Sequence, residues 1–321
     1  MTGRIFITGA TGFVGTAVCA EAVQRGFFIH RLSRTGESTA THEASASEPL
    51  AQQTQKEIPF RGDINDAASL DAAMAGCDGV IHLVGIIMEQ RSKGVTFERI
   101  HVEGTQNVLA AAKRAGVRRY IHMSALGSRA NAVSQYHKTK WQAEEAVRAS
   151  GLDWTIFRPS MIHGPGGEFM QMAAKWASKT AMPYLFMPYF GRGLLGLGGA
   201  GLVQPVYVND VARAFADALQ KPETIRQTYD LVGPDRMDWP TMHKTIARAV
   251  VGKSRLTAPI PAWYAKAIAA VLPAKLLPFN RDQVVMSQED NTADVKTVVN
   301  AFGWSPAGFE ASLNSYALQL R

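Results

Sequence analysis

The chain has 321 residues, 46% of them hydrophobic and 19% charged, the balance of a globular protein long enough to bury a sizeable core and not that of a disordered segment. Its net charge of +7 is spread along the chain without a recognition helix or an aromatic-basic stripe, so nucleic-acid binding is not expected. No apolar run reaches the ~18 uninterrupted residues of a membrane span, and the two cysteines, Cys19 and Cys77, supply neither a disulfide framework nor a zinc spacing.

Taken in chain order, the first half alternates short apolar, β-rich runs with helical patterns. Strands are expected at 4–8, 28–33, 58–61, 79–83, 119–123 and 154–158, and helices at 13–25, 67–75, 97–115 and 134–150. Such alternation is the signature of a parallel sheet covered by helices. The first strand begins almost at the initiator, which leaves no room for a secretory leader and sets a cytoplasmic location as the expectation. Residues 35–57, rich in Ser, Thr, Ala, Gln and Glu without an apolar period, read as a mobile surface loop in place of a helix.

After Arg158 the pattern changes, and Gly, Pro, Met and aromatic residues crowd 160–201. The chain is expected to return to the sheet through 203–208 and a helix at 210–219, then to finish in helices at 239–250, 262–272 and 294–302. The fold class that follows is α/β: a Rossmann-type doubly wound parallel sheet with a smaller, mostly helical C-terminal substrate lobe. Its dinucleotide-binding domain spans 1–159 and is rejoined at about 203–232; the lobe takes 160–202 and 233–321.

The first strand runs directly into Thr8-Gly9-Ala10-Thr11-Gly12-Phe13-Val14-Gly15, and a helix follows at once. Glycine at 9 permits the tight turn, glycine at 12 lets backbone approach a diphosphate, and glycine at 15 lets helix and strand pack closely. A dinucleotide would then meet free N–H groups at the helix N-terminus. NAD-selective sites place an acid at the end of the second strand. Here that stretch is Ile29-His30-Arg31-Leu32-Ser33-Arg34, where Arg31, Ser33 and Arg34 suit a 2′-phosphate, so NADP(H) is expected ahead of NAD(H). Asp63, after the third strand, either accepts from an adenine amino group or caps the next helix.

With these residues in place the chain resembles the extended and atypical branch of the short-chain dehydrogenase/reductase superfamily. The resemblance runs through the glycine loop, Gly62-Asp-Ile64, His82-Leu-Val-Gly85, His101-Val-Glu-Gly-Thr-Gln-Asn107, Ser124, Tyr136 to Lys140, Arg158-Pro-Ser-Met-Ile-His-Gly-Pro165 and Val206-Tyr-Val-Asn-Asp-Val-Ala212. Within that branch it looks most like bacterial relatives of the nucleotide-binding accessory subunit of respiratory complex I, partly on Pro278-Phe-Asn-Arg-Asp-Gln283 and Glu289-Asp-Asn291. The resemblance implies further cofactor contacts at Thr11, Phe13, Val14, Ile64, Leu83, Val84, Gly85, Lys140, Arg158 and Pro159.

Tyr136 and Lys140 stand four apart, on one face of a helix. A nearby ammonium is expected to lower the phenol pKa, so that Tyr136 exchanges a proton with substrate as hydride moves. The resemblance gives Lys140 the nicotinamide ribose and Ser124 the reacting oxygen, and Lys138 faces elsewhere. His137 and His163 read as surface or packed residues, and the eight histidines show no ligand spacing, so no metal site is expected.

No acid occurs from Phe169 to Asn209, a region carrying Met170, Met172, Trp176, Tyr184, Phe186, Met187, Tyr189 and Phe190. Such a lobe offers an apolar substrate wall or an ordinary core. The apolar stretch 261–277, with Lys266 and Lys275 and no acid, suits a peripheral contact at the inner face of a membrane. Three functions follow: an NADP(H)-dependent oxidoreductase acting on a quinone-, isoprenoid- or lipid-like carbonyl or alcohol; a non-catalytic NADP(H)-holding accessory or assembly factor of a respiratory complex; and, last, an NAD-dependent epimerase or dehydratase.

Overall fold

The computed structural model describes residues 3–35, 56–272, 277 and 279–321. The loop read between 35 and 57 therefore lies almost wholly outside the described residues, as do Lys275 and Pro278. The chain forms two compact units, one of residues 1–131, 136–158 and 208–229, the other of 132–135, 159–207 and 230–321.

The first unit is built on a seven-stranded sheet of order β10-β6-β5-β4-β1-β2-β3. The strands are β1 Arg4–Thr8, β2 Phe28–Ser33, β3 Glu57–Arg61, β4 Gly79–His82, β5 Arg119–Met123, β6 Asp153–Pro159 and β10 Gln227–Leu231. From β3 to β6 every pairing is parallel, which requires crossover helices on both faces. Sheet order reverses beside β1, whose neighbours are β2 and β4; the crevice past the carboxyl ends of strands at such a point is where ligands bind. Ile5, Phe6 and Ile7 of β1 are all buried, as a strand covered on both faces demands.

The main-sheet strand that follows the long excursion after β6 is β10, not 203–208. Val206–Tyr207 instead forms β9, which pairs in parallel with β7, Ile162–His163, in a two-stranded sheet. The helix expected over 97–115 divides into a π-helical stretch, Glu98–Glu103, and an α-helix, Gly104–Arg114. A Cβ at Gly104 would stand 2.4 Å from Ile64 Cδ1, so this glycine lets the start of the α-helix settle onto Ile64. The wider turn of the π stretch carries His101, whose Nδ1 lies 2.9 Å from Thr139 Oγ1.

In the second unit the helices Glu168–Ala177, Trp239–Val251 and Phe309–Tyr316 enclose a core that includes Met170, Met187, Met242, Ile246 and Leu313. Phe169 and Trp176 pack on that core. Phe190 joins a smaller cluster with Ala262, Ala265 and Val284. Several residues expected as a substrate wall or an ordinary core are thus this unit's own interior. Beside them, β8 Met187–Gly191 and β11 Thr257–Pro261 pair in parallel.

Candidate functional site

The glycine loop leaves β1 at the switch point and enters the helix Phe13–Gln24. Gly9 has φ +71°, a conformation that L side chains rarely adopt. A Cβ at Gly15 would fall 2.0 Å from Gly9 O, which fixes glycine there by contact alone. Gly12 caps the helix without a side-chain hydrogen bond, and Thr11 and Gly12 are exposed, so the first-turn N–H groups have no side-chain acceptor. A helix N-terminus in that state fits a diphosphate. Backbone of Leu83 and Val84, past β4, lies against the Gly9 turn, within 3.1–3.2 Å of where its Cβ would be.

At the ends of β2 and β3, Arg34, Arg61, Gly62, Asp63 and Asp66 line a surface pocket of about 460 Å³. Arg61 carries no motif of its own; it faces this pocket because β2 and β3 pair in parallel, setting Ser33 beside Arg61. Arg31 does not join it: its guanidinium forms a 2.5 Å ion pair with Glu57 on the adjacent strand, where the register sets Glu57 beside Ile29 and so diagonal to Arg31 on the same face. Ser33 is buried, its hydroxyl 3.1 Å from Thr35 Oγ1. Asp63 accepts from the backbone and side chain of Asn65, and the helix Ala67–Met74 is capped by Asp66. Ile64 is buried, and its carbonyl accepts from Asn107.

Tyr136 and Lys140 lie on the helix Gln135–Arg148. Lys140 is buried and donates to Met123 O at 3.0 Å; its Nζ also stands 2.9 Å from where a Cβ on Gly85 would be. Burial pulls the ammonium down to about 8, opposed by the Glu144 carboxylate one helical turn on. The half-buried Tyr136 ring meets Phe97 and His101 edge-on. Burial pushes its phenol up to about 12, the reverse of the expected lowering. Both shifts have one physical source, loss of water around a charge.

Ser124 departs from expectation as well. Its hydroxyl donates to Glu144 Oε1 at 2.5 Å, and the same fully buried carboxylate takes a two-pronged contact from Arg158, 2.8 Å from Nε and 2.6 Å from Nη2. Arg148 completes the set at 2.7 Å. A carboxylate removed from water needs its lone pairs filled in this way. Arg158, expected to face a ligand, holds Glu144 instead, and Pro159 is buried at the end of β6. Glu144 bears no motif, yet it extends the stripe of Tyr136 and Lys140 by one more helical turn; an acid on such a stripe is the signal that could have found it. His163 is packed, 2.9 Å from Tyr316 Oη.

At 31% identity over 231 residues, 71% of this chain aligns with 53% of the Arabidopsis thaliana protein NADH dehydrogenase (ubiquinone) 1 alpha subcomplex subunit 9, mitochondrial. The chain thus spans about half the length of that relative. Ceramide reductase of Caulobacter vibrioides is 32% identical over 164 residues, covering 51% of this chain and 48% of that protein. The crystal structure of Citrobacter sp. triphenylmethane reductase complexed with NADP(H) superposes with a TM-score of 0.72 over 98% of this chain and all of the other, at 20% identity, a likeness of fold. The family model for the NAD dependent epimerase/dehydratase family matches residues 5–232, which take in the glycine loop, Ser124, Tyr136, Lys140 and, but for Arg4, the seven strands of the sheet; the chain belongs to that family.

Proposed function

We propose that the chain binds NADP(H) and catalyses hydride transfer between it and the carbonyl or hydroxyl carbon of a lipophilic, quinone-, isoprenoid- or lipid-like substrate. The glycine loop receives the diphosphate, with Leu83, Val84 and Gly85 alongside. Arg34 and Arg61 receive the 2′-phosphate. The bound nicotinamide supplies or takes the hydride.

The observation that carries this reading is the pairing of Tyr136 and Lys140 on one helix face. With its phenol near 12, Tyr136 is neutral at physiological pH and suited to give a proton to a carbonyl oxygen as negative charge develops there. Ser124, whose proton is committed to Glu144, can accept but not donate, which leaves the proton transfer to Tyr136. A lipid-like substrate is supported by the resemblance to ceramide reductase.

Lys140 gives this reading a pH signature. Its ammonium, lowered to about 8, is charged below that pH and neutral above it. On the alkaline side donation to the nicotinamide ribose is weakened and the field favouring a developing phenolate is lost. Initial rates across pH are therefore expected to give a kcat/KM that falls above about pH 8. Lys140→Arg should move the fall upward if the enzyme tolerates the change, and an alkaline limb unmoved by substitution would assign it elsewhere.

Arg61→Ala tests the cofactor. Loss of one charge-assisted contact to a 2′-phosphate is expected to weaken NADPH by roughly 10- to 100-fold while leaving NADH unchanged, as read by titration calorimetry. Equal weakening of both would remove Arg61 from this role.

A second reading is favoured by the resemblance to the mitochondrial complex I subunit: the chain holds NADP(H) without turnover as an accessory or assembly factor of a respiratory complex. A copurifying nucleotide that no carbonyl compound or quinone oxidises would support it. The epimerase or dehydratase reading stands third, and it predicts retained NAD with no net oxidation.

A further inference from the structure

We propose that the loop between Gly191 and Gly201, together with the outer face of the helix Ala262–Val271, is a docking surface for an anionic lipid bilayer. Leu194, Leu195 and Leu197 are 77%, 69% and 75% exposed, three leucines within four residues turned to solvent. The loop is a built feature. Arg192 and Gly199 are joined by a 2.7 Å backbone hydrogen bond, Gly198 donates to Arg192 O at 2.9 Å, and Gly196 donates to Gly193 O at 3.2 Å. Trp263 fastens it to the helix, its Nε1 donating to Leu194 O at 3.0 Å.

The helix itself is sided. Ala262 and Ala265 are buried against Val284, Phe190 and Ile260, whereas Trp263, Tyr264 and Val271 are exposed. Its outward residues are therefore aromatic and aliphatic where a solvated helix would carry charge. A contiguous apolar surface of this kind marks a contact site.

Charge selects the partner. No acidic side chain occurs from Trp239 to Arg281 while Lys and Arg occur seven times, and 169–209 also lacks an acid. Arg192 opens the loop and Lys266 lies three residues from Trp263. The next acids along the chain are Asp282, which accepts from Gln135 N, then Glu289 and Asp290 at the base of the loop, where Asp290 accepts from Leu202 N. Apolar tips, interfacial Trp and Tyr, and cations without acids suit a negatively charged headgroup layer over an acyl region. Among the described residues no helix is long and apolar enough to cross a membrane, so the contact is peripheral. It does not depend on turnover at Tyr136.

The test is flotation of the 321-residue chain with vesicles of phosphatidylcholine, with or without phosphatidylglycerol. The chain is expected to float with the anionic vesicles, less so as salt rises, with a blue shift in tryptophan emission that Trp263→Phe removes. The triple change Leu194→Ser, Leu195→Ser, Leu197→Ser is expected to lower vesicle binding at least about a hundredfold. Its thermal midpoint and NADPH affinity should be those of the parent, so failure here is distinct from failure of the cofactor reading. Equal binding by parent and triple variant would overturn the proposal. So would a parent dimer that the triple change makes monomeric, with neither binding vesicles, which would give the surface to a second copy.

Discussion

Tyr136→Phe is expected to lower hydride transfer by roughly 10²- to 10⁴-fold, the usual contribution of a positioned general acid, with NADPH affinity unchanged. The ring stays against the stacked pair of Phe97 and His101, because those contacts are edge-on and need no hydroxyl. What disappears is the proton donor, and Ser124 cannot replace it while its own proton lies on Glu144. Single-turnover oxidation of NADPH against long-chain ketones and quinones is the measurement. Equal rates in parent and variant would remove Tyr136 from the chemistry. No rate in either, with cofactor tightly held, would favour the accessory reading.

Glu144→Ala is expected to be the most destabilising single change at the site. Removing one partner of a buried ion pair costs about 3–5 kcal/mol; Arg158 and Arg148 keep side-chain exposures of 24% and 30%, so water offsets part of that and about 3 kcal/mol is expected. For 321 residues, at about 2.1 cal/mol/K of unfolding entropy per residue, that lowers Tm by roughly 4–5 °C. Glu144→Ala combined with Arg158→Ala should cost less than the two single changes added, because the second removes the charge that the first strands. Strict additivity in thermal unfolding would show that the contact stabilises nothing.

Most of the sheet was legible in the sequence because its strands are short apolar runs set apart by turns. β1, β2 and β5 begin and end where their patterns do. β10 was not legible: Gln227-Thr-Tyr-Asp-Leu231 alternates polar and apolar residues, which also describes a surface loop. The more apolar 203–208 drew the assignment instead, although β9 pairs with β7 in a two-stranded sheet. In the second unit, methionines and aromatics read equally as ligand wall or core, and only packing separates the two.

At the site, order along the chain identified the glycine loop, Tyr136 and Lys140 as a set. Composition at a strand end could not say which arginine turns outward. Arg31 meets a carboxylate on the adjacent strand, and Arg61 reaches the pocket through strand register, a property of pairing and not of local sequence. Nor could spacing reveal that Ser124 is already hydrogen-bonded, since its acceptor Glu144 lies on the following helix.

The position of β10 at the sheet's end has a consequence for biosynthesis. β6 has β5 on one side, but its other edge stays open until Gln227–Leu231 has been made. Translation at roughly 5–20 residues per second leaves that edge unpaired for several seconds while the intervening segment emerges. Thr155, Ile156 and Phe157, all buried once the fold is complete, are then a template for pairing with another nascent chain.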